Sequence, residues 1–213
     1  GPTLILAPTS VCMNWLEESQ RFAPTLNAMQ FGSGDRQQML DNAGAFDLIV
    51  CSYGLLQSEA ERLAEKKWHT LVADEAQAIK NAAAKRSQAV FDLPADFRLA
   101  LSGTPVENRL AELWSIMRFC NPGLLGTLAR FNERFAGPIE RDRDREAQRL
   151  LRRLIAPFVL RRTKGQVLQD LPPRTELLLS VEPEAAEAAH YEALRRHAMK
   201  EVSELTDAAS GSQ

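Results

Sequence analysis

Four short apolar runs punctuate the first half of the chain: residues 4–7 (LILA), 47–52 (DLIVCS), 70–73 (TLVA) and 98–102 (RLALS). Each is a near-continuous run rich in Leu, Ile or Val rather than an alternation. That texture suits a parallel strand covered by helices on both faces, since a strand with one wet face alternates. Between the runs, apolar residues recur at three- and four-residue spacing. They predict helices over 11–22, 35–43, 55–66, 82–91 and 109–119. In the last of these Leu110, Leu113, Trp114 and Met117 form one stripe. Strands alternating with helices predict an α/β fold with a parallel sheet flanked by helices in three layers.

After Pro122 the texture changes. Residues 123–169 lose strand character and become helical and arginine-rich, with Leu150, Leu151, Leu154 and Ile155 supplying a separate apolar face. Pro172 and Pro173 interrupt the chain, residues 176–181 (ELLLSV) read as a further strand, and Pro183 opens a last amphipathic helix. The expected organisation is therefore a sheet domain over 1–122 and a helical, basic protrusion over 123–175. A strand over 176–182 returns to the sheet, and a helix with a small polar tail occupies 183–213.

Charge changes this picture locally. The 213 residues carry a net charge of -2, which does not announce a nucleic-acid binder. Residues 130–164 nevertheless hold eleven basic side chains against five acidic ones, an excess of six. That segment is either a phosphate-facing surface or a solvated helix face with internal ion pairs. Hydrophobic content of 45% and charged content of 25% are those of a soluble globular protein, and no apolar run reaches the length of a membrane span. No secretory signal is visible. Cys12, Cys51 and Cys120 form no CxxC pair, and His69, His190 and His197 lack ligand spacing. The thiols are expected to be reduced and structural, and Trp15 and Trp114 are assigned to the core.

Candidate chemistry collects where the apolar runs end, as it does at the carboxyl ends of strands in open α/β sheets. Those ends read Pro8-Thr9-Ser10, Ser52-Tyr53, Asp74-Glu75-Ala76-Gln77 and Ser102-Gly103-Thr104. Adjacent acids on a buried strand diverge, so one can hold a hydrated magnesium ion while the next orients or deprotonates an attacking water. The alternative is that Asp74 and Glu75 merely cap the following helix. Gly103 permits a tight turn, and the hydroxyls beside it can bond to neighbouring acids.

Residues 74–81 (DEAQAIKN), 101–126 (LSGTPVENRLAELWSIMRFCNPGLLG) and 157–176 (PFVLRRTKGQVLQDLPPRTE) resemble helicase motif II, motif III with its following helix, and the basic block downstream in Swi/Snf-type ATPases of the second helicase superfamily. Residues 4–15 (LILAPTSVCMNW) and 49–56 (IVCSYGLL) resemble motifs Ia and Ib. Each motif is short, but five in the family's order, with matching stretches between them, cover the chain from its first residues to about Tyr191. The resemblance implies most of a first RecA-like lobe from an ATP- and magnesium-dependent motor that translocates on double-stranded DNA. It implies that Asp74 coordinates magnesium, that Glu75 is the catalytic base, and that Gln77 contacts the γ-phosphate or couples to motif III. Ser102, Gly103 and Thr104 would link hydrolysis to lobe movement. Thr9, Ser10, Ser52 and Tyr53 would meet the nucleic-acid backbone, although Tyr53 also reads as an aromatic packed at a strand end. Arg161, Arg162 and Lys164 would add basic contacts. The Gln77 form resembles bacterial members, which implies a cytoplasmic, nucleoid-associated protein.

One element of the family pattern is absent. The phosphate loop GxxxxGK[ST] has no counterpart, since no Gly-Lys pair occurs in the chain. The expectation is that the loop lies upstream of Gly1 and the second lobe downstream of Gln213, so that the chain is a piece of the motor and is inactive by itself. A non-catalytic DNA-binding or scaffold module derived from such a motor is the alternative. An unrelated magnesium-dependent hydrolase would leave the ordered motifs unexplained.

Overall fold

The computed structural model describes residues 1–103, 109–163, 166, 175 and 177–210. Five parallel strands form its centre: β1 (Thr3–Ala7), β2 (Asn27–Gln30), β3 (Asp47–Ser52), β4 (Trp68–Ala73) and β5 (Ala95–Ala100), in the order β2-β3-β1-β4-β5. The register sets Leu4 beside Ile49 and Leu71, and Ile5 beside Val50 and Val72. Alternate side chains of these strands enter two different cores, which is why their sequence does not alternate. Leu4, Leu6, Ile49, Cys51, Leu71 and Ala73 face one core, and Ile5, Ala7, Leu48, Val50 and Val72 the other.

Helices make the outer layers. α1 (Thr9–Phe22) covers the second face through Cys12, Trp15 and Leu16. α2 (Arg36–Asn42), α3 (Tyr53–Glu65), α4 (Lys85–Asp92) and α5 (Leu110–Cys120) cover the first through Leu40, Leu56, Leu63, Val90 and Phe119. Caps mark two starts: Asp35 accepts from the backbone N–H of Gln37 and Gln38, and Ser52 accepts from that of Leu55 at 3.2 Å. Arg98 ties β5 to its neighbours by donating to the carbonyls of Leu93 (2.7 Å) and Phe119 (3.3 Å).

The arginine-rich segment is helical as expected: α6 (Leu128–Phe131), a π-helical turn (Asn132–Ala136), α7 (Gly137–Arg141) and α8 (Arg145–Ile155). Phe131, Phe135 and Leu151 pack there against Leu113, Trp114 and Met117 of α5. α5, which precedes the boundary expected at 122/123, contributes to both cores. The chain forms two compact units, Gly1–Leu160 and Arg161–Gln213. In the second unit α9 (Ala185–Ser210) carries the Glu192 carboxylate between Arg195 (2.8 Å) and Arg196 (3.0 Å). Of the strand expected over 176–182, Glu176 lies outside the described residues. Residues 177–184 carry no regular secondary structure, and none of them belongs to the ladder. β-rich composition makes a strand only where an edge supplies partners for its N–H and C=O groups.

β5 is an edge strand, and its side of the α1 face is bare. Phe97 is 56% exposed and Leu99 40% exposed, and Leu99 pairs with Val72. Open edges beside apolar surface invite association. We predict that residues 1–213 associate as concentration rises in sedimentation velocity, and that Phe97→Ser with Leu99→Ser suppresses it. A chain that stays monomeric at every concentration contradicts this.

Candidate functional site

β4 and β5 are neighbours, so the residues that follow them emerge side by side. Asp74, the first residue after β4, is still tied to the sheet, its N–H donating to the Leu6 carbonyl at 2.8 Å. Glu75 then turns the chain in the left-handed region, at φ 47° and ψ 54°, a conformation that costs a non-glycine residue about 1–2 kcal/mol. The turn aims the N–H of Ala76 at the carbonyl of Leu101, 2.8 Å away, while the Leu101 N–H donates to Ala73 at 2.8 Å. The two strand ends are thereby stitched together just where the polar residues begin. Local strain of this kind gathers at functional sites.

Side chains extend the link. The Ser102 hydroxyl donates to Gln77 Oε1 at 2.9 Å, and Gln77 Nε2 donates to the Glu75 carboxylate. A short relay therefore runs from Glu75 through Gln77 to Ser102. The Asp74 carboxylate is held apart from it. Oδ1 accepts from the Glu75 N–H and Oδ2 from the indole N–H of Trp15, both at 2.8 Å. Glu75 makes no side-chain cap to the 3-10 turn that follows (Ala76–Ile79), so capping does not account for it. Asp74, Glu75, Gln77 and Ser102 are all half-buried, reachable by ligand yet shielded from bulk water.

Residues 1–212 match the SNF2-related domain family. The chain belongs to that family. A putative ATP-dependent helicase/translocase, YwqA, of Bacillus subtilis is 43% identical over 96% of this chain and 23% of its own length. The TATA-binding protein-associated factor mot1 of Schizosaccharomyces pombe is 37% identical over 81% of this chain and 10% of its own. Among solved structures, the Sulfolobus solfataricus SWI2/SNF2 ATPase core in complex with double-stranded DNA aligns with a TM-score of 0.72 and 43% identity, over 80% of this chain and 36% of that one. The fold is thus the RecA-like α/β fold of an SNF2 ATPase core, and the bacterial affinity expected from Gln77 is met by the Bacillus relative. The chain spans between a tenth and a quarter of the length of these two curated relatives.

The other expected site residues of this SNF2-related lobe are placed as follows. Thr9 and Ser10 are exposed at the start of α1, and Ser52 starts α3 as its cap. Tyr53 takes the packed alternative. It is 4% exposed, and its hydroxyl donates to the Asp74 carbonyl at 2.8 Å, so it braces that turn from inside. Burial, reinforced by the Asp74 charge, pushes its phenol above the ordinary tyrosine range and keeps it a neutral donor. Gly103 is exposed beside the relay, while Thr104 and Lys164 lie outside the described residues. Arg161 and Arg162 are exposed and belong to the second unit.

Sequence reasoning missed Trp15 as a site residue. Its place in the Cys12, Trp15, Leu16, Ser19 stripe of α1 reads as core, and it does pack there. The available signal was chemical, since a partly buried indole N–H generally finds an acceptor. The thiols behave as expected: burial pushes Cys51 up to about 12 and Cys120 up to about 11, so both stay protonated and unreactive near neutrality.

A magnesium ion fits this donor set. Among the described residues no three His, Cys, Asp or Glu side chains gather as a complete metal cage. Magnesium needs none, because it keeps several waters and is held by one or two carboxylates together with substrate phosphates. Each Asp74 oxygen uses one of its two acceptor positions within the protein, which leaves the other for a ligand. For a nucleotide, the described residues supply only the acidic side of a binding site.

Proposed function

We propose that this lobe supplies the acidic catalytic edge of an ATP-driven motor that moves along double-stranded DNA. The observation that carries the reading is the relay Glu75–Gln77–Ser102 beside a separately held Asp74. It gives two adjacent carboxylates different tasks. Asp74 keeps acceptor positions for magnesium. Glu75, oriented by Gln77, is placed to order or deprotonate the attacking water. Ser102 ties that base to the β5 loop, a route by which lobe movement and hydrolysis inform each other. The phosphate cradle must come from another segment of the polypeptide. A segment paired on the open edge of β5 would lie two strand spacings from β4, roughly 10 Å, and that edge is the nearer of the two sheet edges to the acids.

Duplex binding is proposed along exposed basic surface. Arg145, Arg149, Arg152 and Arg153 are exposed, and their positions on α8 fall within roughly a 100° arc at 3.6 residues per turn. Leu151 occupies the opposite side and is buried. No ion pair joins these four arginines to an acid among the described residues, which favours a phosphate-facing role over an internally neutralised surface. Thr9 and Ser10 place backbone N–H groups at the start of α1, a further seat for phosphate. Arg161, Arg162 and Lys164 belong to the same proposal. Such contacts are tolerant of sequence and sensitive to salt. Residence with the nucleoid in the cytoplasm follows from this reading, and no described helix is long and apolar enough to cross a membrane.

The test is duplex affinity against salt. Changing Arg145, Arg149, Arg152 and Arg153 to Gln should weaken binding, with the log–log salt slope falling by about 0.9 for each phosphate no longer neutralised. An unchanged slope removes α8 from the interface.

A further inference from the structure

The indole of Trp15 is tied to the one carboxylate the lobe offers a metal, and by way of α1 rather than through the motif that bears the acid. Asp74 is fixed from four directions. Its N–H donates to Leu6, its carbonyl accepts from Tyr53, Oδ1 accepts from the Glu75 N–H, and Oδ2 accepts from Trp15 Nε1. The first three restrain backbone or belong to the local turn. Trp15 reaches the side chain itself from a distant part of the sequence, 59 residues away. The contact is single and directional. An indole N–H carries no positive charge, so it orients the carboxylate without neutralising it and leaves its attraction for a cation intact.

We propose that Trp15 is a positioning residue for Asp74, holding the carboxylate in the rotamer that meets magnesium and making that rotamer depend on the seating of α1. The inference rests on the motor reading above. Trp15 lies six residues after Thr9 on α1, about 9 Å along the axis at 1.5 Å per residue. Thr9 and Ser10 are the residues proposed to meet the DNA backbone. A shift of α1 on docking DNA therefore moves the donor that aims Asp74. The other tryptophans have separate partners, Trp68 the Leu63 carbonyl at 3.0 Å and Trp114 that of Gly126 at 3.1 Å. Trp15 alone reports on the acid.

The experiment uses the full polypeptide that carries this lobe with its phosphate loop. Trp15→Phe keeps an aromatic ring and deletes the donor, and a benzothienyl side chain at position 15 keeps the indole shape with sulfur in place of N–H. Both should raise the magnesium concentration for half-maximal turnover by about tenfold, the lower end of the effect of losing an outer partner of a metal ligand. The melting temperature of the benzothienyl protein should stay at the native value. A second readout needs no turnover: Mn2+ added with ADP should quench an emission component in the native protein that is missing in Trp15→Phe and unquenched in Asp74→Asn. An unchanged magnesium requirement in both position-15 variants, with Asp74→Asn strongly shifted, overturns the role of Trp15 alone. If Asp74→Asn leaves the magnesium requirement where it was, the motor reading itself fails.

Discussion

Glu75→Gln should abolish DNA-stimulated ATP turnover in the polypeptide that carries this lobe with a phosphate loop, a loss of about 10²–10⁴-fold. The substitution is nearly isosteric. The amide that replaces the Glu75 carboxylate would still accept a hydrogen bond from Gln77, so the relay and the fold are retained, while the negative charge that draws a proton from the attacking water is gone. Nucleotide affinity should persist, because Asp74 is untouched and remains held by Trp15 and the backbone N–H at position 75. Steady-state turnover together with nucleotide binding checks this, and a variant that hydrolyses ATP at near-native rate removes Glu75 from the role of base. Residues 1–213 alone should show no measurable turnover, since their sequence holds no GxxxxGK[ST] phosphate loop. Activity from that chain which disappears in Glu75→Gln would contradict the division of labour proposed here. Ser102→Ala makes an informative companion. It leaves Glu75 its charge and its Gln77 donor but removes the hydroxyl that holds Gln77 Oε1, so its effect should fall on stimulation by DNA more than on unstimulated turnover.

The parts of the fold that were legible in sequence are those where local pattern and tertiary context agree. β1, β3 and β4 are buried on both faces, and their apolar runs announce them. β2 is the opposite case. Its four residues, Asn27, Ala28, Met29 and Gln30, form an edge strand with exposed ends, and neither run length nor alternation distinguishes them from a loop. Residues 177–184 show the converse, a strand-like composition without a ladder. The two apolar faces of α5 look like one stripe in sequence but serve two cores. The grouping of Asp74, Glu75, Gln77 and Ser102 was readable because apolar runs of a parallel sheet deliver the polar residues that end them to one edge. Tyr53 left two readings open in sequence, contact with nucleic acid or packing at a strand end, and Trp15 read as core. A hydroxyl at a strand end suggests contact with ligand, and an indole in a helical stripe suggests packing. Both bear on Asp74, Tyr53 on its carbonyl and Trp15 on its carboxylate, and that three-dimensional reach is something a single sequence does not contain.

Trp114→Ala should detach the helical part from the sheet while leaving the acids in place. Trp114 is 5% exposed, packs with Leu113, Met117, Phe131 and Phe135, and donates its indole N–H to the Gly126 carbonyl. Its ring also stacks beneath the Arg118 guanidinium, 5.5 Å from the centroid, and the same guanidinium lies 4.6 Å from the Phe91 ring. Truncation removes the largest side chain of that core and leaves a carbonyl without its donor, for a loss of about 3–5 kcal/mol. In a chain of this size about 2–4 °C of melting temperature goes with each kcal/mol, so a fall of roughly 10 °C is expected. The loss should be uneven. On the adjacent side of α5, Phe119 is fully buried against the sheet and the Ser115 hydroxyl donates to the Ile79 carbonyl at the end of the acidic turn. Those contacts do not pass through Trp114. Amide hydrogen exchange should therefore accelerate across α6 to α8 first, with β1, β3 and β4 still protected. Because α8 carries the arginines proposed to meet DNA, duplex affinity should fall together with α8 protection. Uniform acceleration through sheet and helices alike would show instead that the two cores melt as one, and that the helical part is not a separable arm of the lobe.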